Sequence, residues 1–204
     1  MAKVKICGLS RKEDIICCNR LKPDFIGFVF FPKSIRNVSF SQAEQLKSML
    51  DEDIKSVGVF VDEKIEFISE LCSRNIIDMV QLHGKEDEDY IIRLKKVTDK
   101  PVIKAVRVKS ADEIISADRL PCDFLLLDTY IENVVGGSGI AFDWSVIPQI
   151  SKPYFLAGGL DSSNVADAIK LCSPYAVDVS SSVEKNKIKS EFRIAEFIKA
   201  VRSI

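Results

Sequence analysis

Histidine and tryptophan each occur only once among the 204 residues of this sequence. The six cysteines include no Cys-x-x-Cys pair; they are Cys7, Cys17, Cys18, Cys72, Cys122 and Cys172. Because a structural zinc site needs about four closely spaced Cys or His ligands, we expect no metal site. Most of the cysteines are predicted to be small buried hydrophobic side chains without disulfide bonds.

The sequence also lacks an excess of one charge and any long apolar run. Its 29 Lys and Arg residues balance 30 Asp and Glu residues, for a net charge of -1, which argues against nucleic acid and anionic membranes as partners. The longest apolar runs, such as FIGFVFF at residues 25–31, are far too short to cross a bilayer. The N-terminal MAKVKICGLS has no apolar signal-peptide segment, so a cytoplasmic location is expected.

Instead, short apolar runs alternate regularly with longer amphipathic stretches. The runs, in chain order, are VKIC, DFIGFVF, SVGVFV, MVQLH, VIKAVRV, FLLLD, YFLAGG and AVDVS. The last amphipathic stretch, EFRIAEFIKAV, is predicted to place Phe192, Ala195, Phe197, Ile198 and Val201 on one helix face. The alternation recurs about eight times, which is typical of parallel strand–helix–strand units.

Eight such units fit either an open doubly wound sheet or a closed barrel. The first turn, CGLSRKED, lacks the glycine fingerprint of dinucleotide-binding sheets, and the sequence contains no P-loop motif. We therefore predict a compact, single-domain (β/α)8 TIM barrel over residues 1–204, in a fold that typically has about 250 residues. The glycine-rich GGSG at residues 136–139 is placed in the longest loop rather than at a domain boundary.

Four Ser-x-x-Glu patterns follow predicted strands and indicate helix starts. In a capping box the serine hydroxyl accepts a hydrogen bond from the third backbone amide of the helix, and the glutamate reaches back to the cap amide. The four pairs are Ser10/Glu13, Ser41/Glu44, Ser110/Glu113 and Ser181/Glu184.

Alternation along the predicted strands indicates which side chains point into the barrel. Helices cover the outside, so the apolar positions face outward; examples are Val4, Ile6, Val80, Leu82, Leu125, Leu127, Val177 and Val179. The last inward positions of four strands are Cys7, His83, Asp128 and Ser180. These four should meet at the C-terminal mouth, where barrel enzymes keep their active sites.

Lys5 and Asp178 fall one layer deeper in the same inward rows. Because a buried charge is costly unless it is paired, we expect the two to compensate each other or a neighbour such as Lys104. Asp178 is a candidate substrate-binding residue, and a purely structural role for both residues remains open.

The ends of the last two strands are predicted to hold a phosphate group. Strand 7 ends in Gly158 and Gly159, and strand 8 runs into Ser180, Ser181 and Ser182. Glycines let the backbone approach a ligand closely, and free amides at the start of a helix attract a dianion. The alternative is that the two glycines only make a tight turn, but phosphate sites in many barrels lie in these two loops.

Cys7 and Asp128 together predict acid–base chemistry at the mouth. A buried structural thiol or a turn-capping aspartate is the plainer interpretation of each residue alone. Facing each other across a sugar phosphate, a thiolate and a carboxylic acid make a general base and a general acid, and the apolar FLLL run favours the protonated form of Asp128. His83 is placed at the rim of the site without a proton transfer, and Arg36 is a candidate clamp for a substrate carboxylate.

These residues lie in segments that resemble the phosphoribosylanthranilate isomerase family of tryptophan biosynthesis. The segments, which span nearly the whole chain in the family's order, are KICGLSRKED, FVFFPKSIRNVS, VQLHG, LLLDT, GGSGIAFDW, FLAGGLDSSNV and VDVSSSVE. The resemblance implies a cofactor-independent Amadori rearrangement of a phosphorylated aminoaldose, with Cys7 as general base, Asp128 as general acid and Arg36 on the anthranilate carboxylate. We expect a small phosphorylated substrate as the partner, and either a monomer or a homodimer as the oligomeric state.

The sequence departs from the family pattern at three positions. Ser10 and Ser138 stand where the family usually has threonine, and both keep a hydroxyl. Ser182 stands where the family usually has glycine, and it can still donate its amide to a phosphate if its φ is negative.

Two other functions compete with this one. The first is a different sugar-phosphate barrel enzyme, such as a metal-dependent epimerase, but a single histidine supplies too few metal ligands for it. The second is an inactive barrel that only binds a phosphorylated ligand.

Overall fold

The computed structural model describes residues 1–129 and 143–204, and they form a closed barrel of eight parallel strands. Each strand pairs with the next in chain order, and β8 pairs with β1 to close the ring. The strands are β1 Lys3–Cys7, β2 Phe25–Phe30, β3 Lys55–Phe60, β4 Met79–Leu82, β5 Val102–Val108, β6 Phe124–Thr129, β7 Tyr154–Leu156 and β8 Ala176–Val179. The predicted barrel and its eight strand positions are confirmed.

Seven α-helices in the described ranges cover the outside of the barrel. They are α1 Lys12–Leu21, α2 Phe40–Ser48, α3 Ile65–Ser73, α4 Glu88–Lys95, α5 Ala111–Asp118, α6 Val165–Cys172 and α7 Glu191–Arg202. One-turn 3-10 helices lie at Trp144–Val146 and Ser181–Val183, and a small hairpin of β9 Glu184–Lys185 and β10 Ile188–Lys189 precedes α7. The GGSG segment at 136–139, with Ser138, lies outside the described residues. No helix in the described ranges is long and apolar enough to span a membrane.

Two apolar layers confirm the predicted inward and outward faces of the strands. The outer layer joins strands to helices and contains the eight side chains that the sequence places outward: Val4, Ile6, Val80, Leu82, Leu125, Leu127, Val177 and Val179. The inner layer fills the barrel and is built mainly from Phe25, Val57, Met79, Ile103, Leu126, Phe155, Ala157 and Ala176. Since side chains alternate strictly along a strand, the pairing register carries the same inward rows up to the mouth.

The capping boxes that the sequence predicts are not formed. Helix α1 is capped by Arg11, with Asp14 as its partner, and α2 by the hydroxyl of Ser39, which accepts from the Gln42 amide. The capping boxes predicted for Ser10/Glu13 and Ser41/Glu44 are therefore wrong, because α1 and α2 begin at other residues than the pattern indicates. Ser110 does occupy the cap of α5, but it makes no side-chain cap hydrogen bond.

The fourth pair, Ser181/Glu184, is also wrong as a helix start. Ser181 opens a single 3-10 turn, and Glu184 begins β9 instead of entering a helix. In α7 the buried face consists of Ile194, Phe197, Ile198 and Val201. Phe192, which was expected on that face, is 71% exposed because it lies on the opposite side of the helix.

Truncating an interior phenylalanine should cost far more stability than truncating the exposed one. Phe155 is fully buried and its ring centroid lies 5.4 Å from that of Phe25 and 5.7 Å from that of Phe124. We expect Phe155→Ala to lower the free energy of unfolding by about 3–5 kcal/mol, since it leaves a cavity between aromatic rings. Phe192→Ala is the control and should change it by less than about 0.5 kcal/mol in urea denaturation. Equal effects would contradict the two-layer core.

Candidate active site

Four predicted site residues converge at the carboxyl end of the barrel. Cys7 is the last residue of β1, His83 directly follows β4, Asp128 is the fifth residue of β6, and Ser180 directly follows β8. Cys7 and Asp128 are only 8% and 9% exposed, so both lie down in the mouth rather than on its surface. β1 and β6 are separated by two strands in one direction and four in the other, which places thiol and carboxyl across the opening.

The buried pair predicted one layer deeper is present. Lys5 and Asp178 are register partners in β1 and β8, and Lys5 Nζ donates to Asp178 Oδ1 at 2.9 Å. Burial opposes the charge on Lys5, but the attraction of Asp178 outweighs it and raises the lysine pKa. Lys104 is not part of this pair, because its ammonium donates to Glu86 at 2.7 Å instead.

The Cys7 thiol occupies space that a glycine leaves open. Gly27 is its register partner in β2, and a Cβ at Gly27 would lie 2.7 Å from Cys7 Sγ. Burial raises the pKa of the Cys7 thiol above its ordinary value, while the nearby ammonium groups of Lys5 and Lys189 work in the opposite direction. The thiol is thus shielded from water and held beside two positive charges.

His83 joins two inward side chains of the mouth. Its Nε2 lies 3.5 Å from Asp128 Oδ2, and its Nδ1 lies 3.1 Å from the amide Nε2 of Gln81. Arg107 is the register partner of Asp128 in β5 and is an exposed cation at the same level. The sequence interpretation placed His83 at the rim and gave neither Gln81 nor Arg107 a role in the site.

Arg36 reaches the mouth from the loop after β2. Its Nε and Nη2 donate to the two carboxylate oxygens of Glu184 at 2.7 and 2.8 Å, a bidentate fork that raises the arginine pKa. The side chain crosses directly over Gly8, where an added Cβ would lie 2.4 Å from Arg36 Cδ. Gly8 also has a φ of +82°, so this position requires glycine for both conformation and space.

Glu184 connects Arg36 to the other side of the site. Its carboxylate also accepts from the buried Lys189 Nζ at 2.7 Å. Burial raises the pKa of Glu184, but the hydrogen bonds from Arg36 and Lys189 prevail and hold it below its usual range. Lys189 further donates to the Ser180 carbonyl at 2.9 Å, and the Ser180 hydroxyl donates to the Cys7 carbonyl at 3.0 Å. One polar network therefore links the arginine, the strand 8 loop and the end of β1.

The two loops expected to hold phosphate lie side by side. Gly158 and Gly159 have φ angles of +81° and +67°, a conformation that L side chains rarely adopt. The Ser182 hydroxyl donates to the Leu160 carbonyl and so ties the strand 8 turn to the strand 7 loop. Ser181 to Val183 form the 3-10 turn, and Ser182 keeps a negative φ, the condition stated for its amide to donate. The first amides of such a turn have no acceptor within it.

Sequence reasoning missed the residues that support the site through distant contacts. Glu184 was assigned to a helix cap, and its true partner Arg36 lies 148 residues away in the chain. Lys189 and Gln81 were not identified as site residues from the sequence. Within the described ranges, no three His, Cys, Asp or Glu side chains are grouped closely enough to hold a metal ion.

Comparison with known proteins identifies a family that this chain resembles over nearly its whole length. Residues 4–200 match the family model described as N-(5'-phosphoribosyl)anthranilate (PRA) isomerase. A protein named N-(5'-phosphoribosyl)anthranilate isomerase, from Endomicrobium trichonymphae, is 50% identical over 204 residues, with 100% of both chains covered.

Solved structures agree with this match. Phosphoribosyl anthranilate isomerase from Thermotoga maritima superimposes with a TM-score of 0.89 at 34% identity, covering 100% of each chain. A phosphoribosyl anthranilate isomerase in complex with reduced 1-(o-carboxyphenylamino)-1-deoxyribulose 5-phosphate gives a TM-score of 0.85 at 33% identity, again over 100% of each chain. The chain is an isomerase that belongs to the N-(5'-phosphoribosyl)anthranilate isomerase family.

Proposed function

We propose that this protein converts N-(5-phosphoribosyl)anthranilate to 1-(2-carboxyphenylamino)-1-deoxyribulose 5-phosphate, a step of tryptophan biosynthesis. The observation that carries the proposal is the placement of Cys7 and Asp128 on separate strands of one barrel mouth, between the glycine and serine loops and the Arg36 guanidinium. A related isomerase binds a reduced form of this product, which makes the same compound class the natural ligand to test.

The two ends of the substrate carry charges that the mouth can hold separately. The phosphate lies against the backbone of Gly158, Gly159 and residues 180–182, where turn amides donate to its oxygens. The anthranilate carboxylate lies against Arg36, whose Nε and Nη2 are already held by Glu184. Glu184 thereby fixes the plane of the guanidinium, so the remaining N–H groups are oriented before the substrate arrives.

Asp128 begins the reaction as general acid. Its carboxyl group delivers a proton to the ring oxygen of the sugar, the bond between C1 and that oxygen breaks, and the nitrogen lone pair forms a C1=N iminium. The Asp128 carboxylate that remains lies 3.5 Å from His83 Nε2 and beside Arg107 in register. Positioned proton transfer of this kind contributes about 10²–10⁴-fold to a rate.

Cys7 completes the rearrangement as general base. The iminium acidifies the C2 hydrogen, and the Cys7 thiolate removes it to give an enolamine. C1 then takes up a proton and the C2 hydroxyl loses one, so the product is an isomer with a C2 ketone and a C1 amine. Lys5 and Lys189 stabilise the thiolate, and the iminium itself serves as the electron sink.

Replacing either proposed proton-transfer residue should abolish most of the turnover without unfolding the protein. We expect Cys7→Ala and Asp128→Asn each to lower kcat by about 10²–10⁴-fold, since each removes one proton transfer. The assay follows the loss of substrate fluorescence, with circular dichroism as the test of folding. Cys122→Ala, a buried cysteine far from the mouth, is the matched control and should keep its activity. A folded Cys7→Ala or Asp128→Asn variant with normal turnover would refute the role of that residue.

Replacing Arg36 should weaken binding of the carboxylate end only. We expect Arg36→Met to raise KM for the substrate on the order of 10-fold or more, because a charge-assisted hydrogen bond contributes about 1.5–3 kcal/mol. The inhibition constant of inorganic phosphate should change by less than about 2-fold, since phosphate uses the other loops. An equal loss of affinity for substrate and for inorganic phosphate would contradict the proposal that Arg36 binds the substrate carboxylate.

A further inference from the structure

Gln81 is a buried amide that the proposed mechanism leaves without a task. It points into the barrel from β4, is 1% exposed, and has the apolar Val59 and Ile103 as its register partners. Its Nε2 lies 3.1 Å from His83 Nδ1. Its Oε1 has no hydrogen-bond partner among the described residues.

This contact determines where the histidine proton can be. An amide nitrogen only donates hydrogen bonds, so His83 Nδ1 must accept from Gln81 and carry no proton. The neutral ring then has its proton on Nε2, the atom that lies 3.5 Å from Asp128 Oδ2. His83 therefore presents a donor, not an acceptor, to the Asp128 carboxyl group.

The unpaired oxygen agrees with this orientation of the amide. The reverse orientation would put the oxygen against the ring and leave an NH2 group unpaired between Val59 and Ile103. A buried donor without an acceptor is rarer in proteins than a carbonyl oxygen with unused capacity. The surroundings of Gln81 thus favour the amide nitrogen on His83.

We propose that Gln81 is a positioning residue, which holds His83 in the tautomer protonated at Nε2 and so keeps the proton of Asp128 for the substrate. In the other tautomer, the Nε2 lone pair would accept that proton and compete with the sugar ring oxygen. In the tautomer that Gln81 selects, the Nε2 proton instead stabilises the Asp128 carboxylate after proton delivery. This inference rests on the proposed role of Asp128 as the general acid.

The tautomer can be observed directly because His83 is the single histidine of the chain. Protein labelled with [15N]histidine gives ring-nitrogen NMR signals that need no further assignment to a residue. At a pH well above the ordinary histidine pKa of about 6.5, we expect the signal of a protonated nitrogen at Nε2 and of an unprotonated nitrogen at Nδ1. A proton on Nδ1 in the wild-type protein would overturn the proposal.

Two variants test whether Gln81 is the cause. Gln81→Glu keeps the shape of the side chain but replaces the donor by an acceptor, and it should move the ring proton to Nδ1. Gln81→Met removes the donor without adding a charge, and it should give a mixture of the two His83 tautomers. It also keeps the test possible if the Gln81→Glu variant does not fold. Gln45→Met, an exposed change on α2, is the matched control and should leave the spectrum unchanged. An unaltered Nε2 tautomer in a folded Gln81→Met protein would contradict the assignment.

Kinetics separate positioning from a general effect on structure. Gln81→Met should lower kcat on the order of 10-fold, less than the loss of the acid itself, with KM changed by less than about 2-fold. The Asp128→Asn variant has no carboxyl proton to deliver. In the double variant, Gln81→Met should therefore lower kcat no further than Asp128→Asn alone. A full additional loss in the double variant would overturn the proposal. If the proposed function is wrong, the wild-type protein will not turn over the substrate. The NMR experiment needs no substrate, so its result on the His83 tautomer is independent of that outcome.

Discussion

The alternation of side chains along eight hydrogen-bonded strands places the site residues that the barrel strands carry. Most outward residues are apolar because helices cover them, and this leaves the inward rows free to carry polar groups toward the mouth. The register of β1 with β8 brings Lys5 beside Asp178, and that of β1 with β2 places Cys7 beside Gly27. A slip of one residue in any of these strands would move its site residue to the helical side.

A surplus of positive charge around Cys7 follows from the same packing. Three cations, Lys5, Arg36 and Lys189, share the two carboxylates of Asp178 and Glu184. Such a site suits a substrate with a phosphate at one end and a carboxylate at the other, and the ammonium groups of Lys5 and Lys189 partly offset the burial that raises the pKa of the Cys7 thiol. Because each cation is held by a short ion pair, the charges are oriented before the substrate binds, which is how electrostatic stabilisation is most effective.

Local patterns predicted the strands, their faces and the mouth residues, since alternation and apolar runs depend only on neighbours in the chain. They predicted the starts of helices less well: α2 is capped by Ser39, two residues before the serine of the expected motif. They also misplaced Glu184, whose partner Arg36 is contributed by the other end of the chain. Contacts between distant segments, such as the hydrogen bond from the Ser180 hydroxyl to the Cys7 carbonyl, depend on the closure of the barrel and leave no local pattern in the sequence.

The proposed mechanism requires Cys7 and Asp128 to act on one bound molecule. A crystal structure of this chain with a reduced, unreactive product analogue measures that arrangement directly. The proposed mechanism predicts Cys7 Sγ within about 3–3.5 Å of C2 of the analogue, and Asp128 at hydrogen-bond distance from the oxygen that leaves the ring. It also predicts the phosphate against Gly159 and Ser182. A ligand bound with the thiol and the carboxyl at opposite ends of the molecule, or with its phosphate outside these loops, would contradict it.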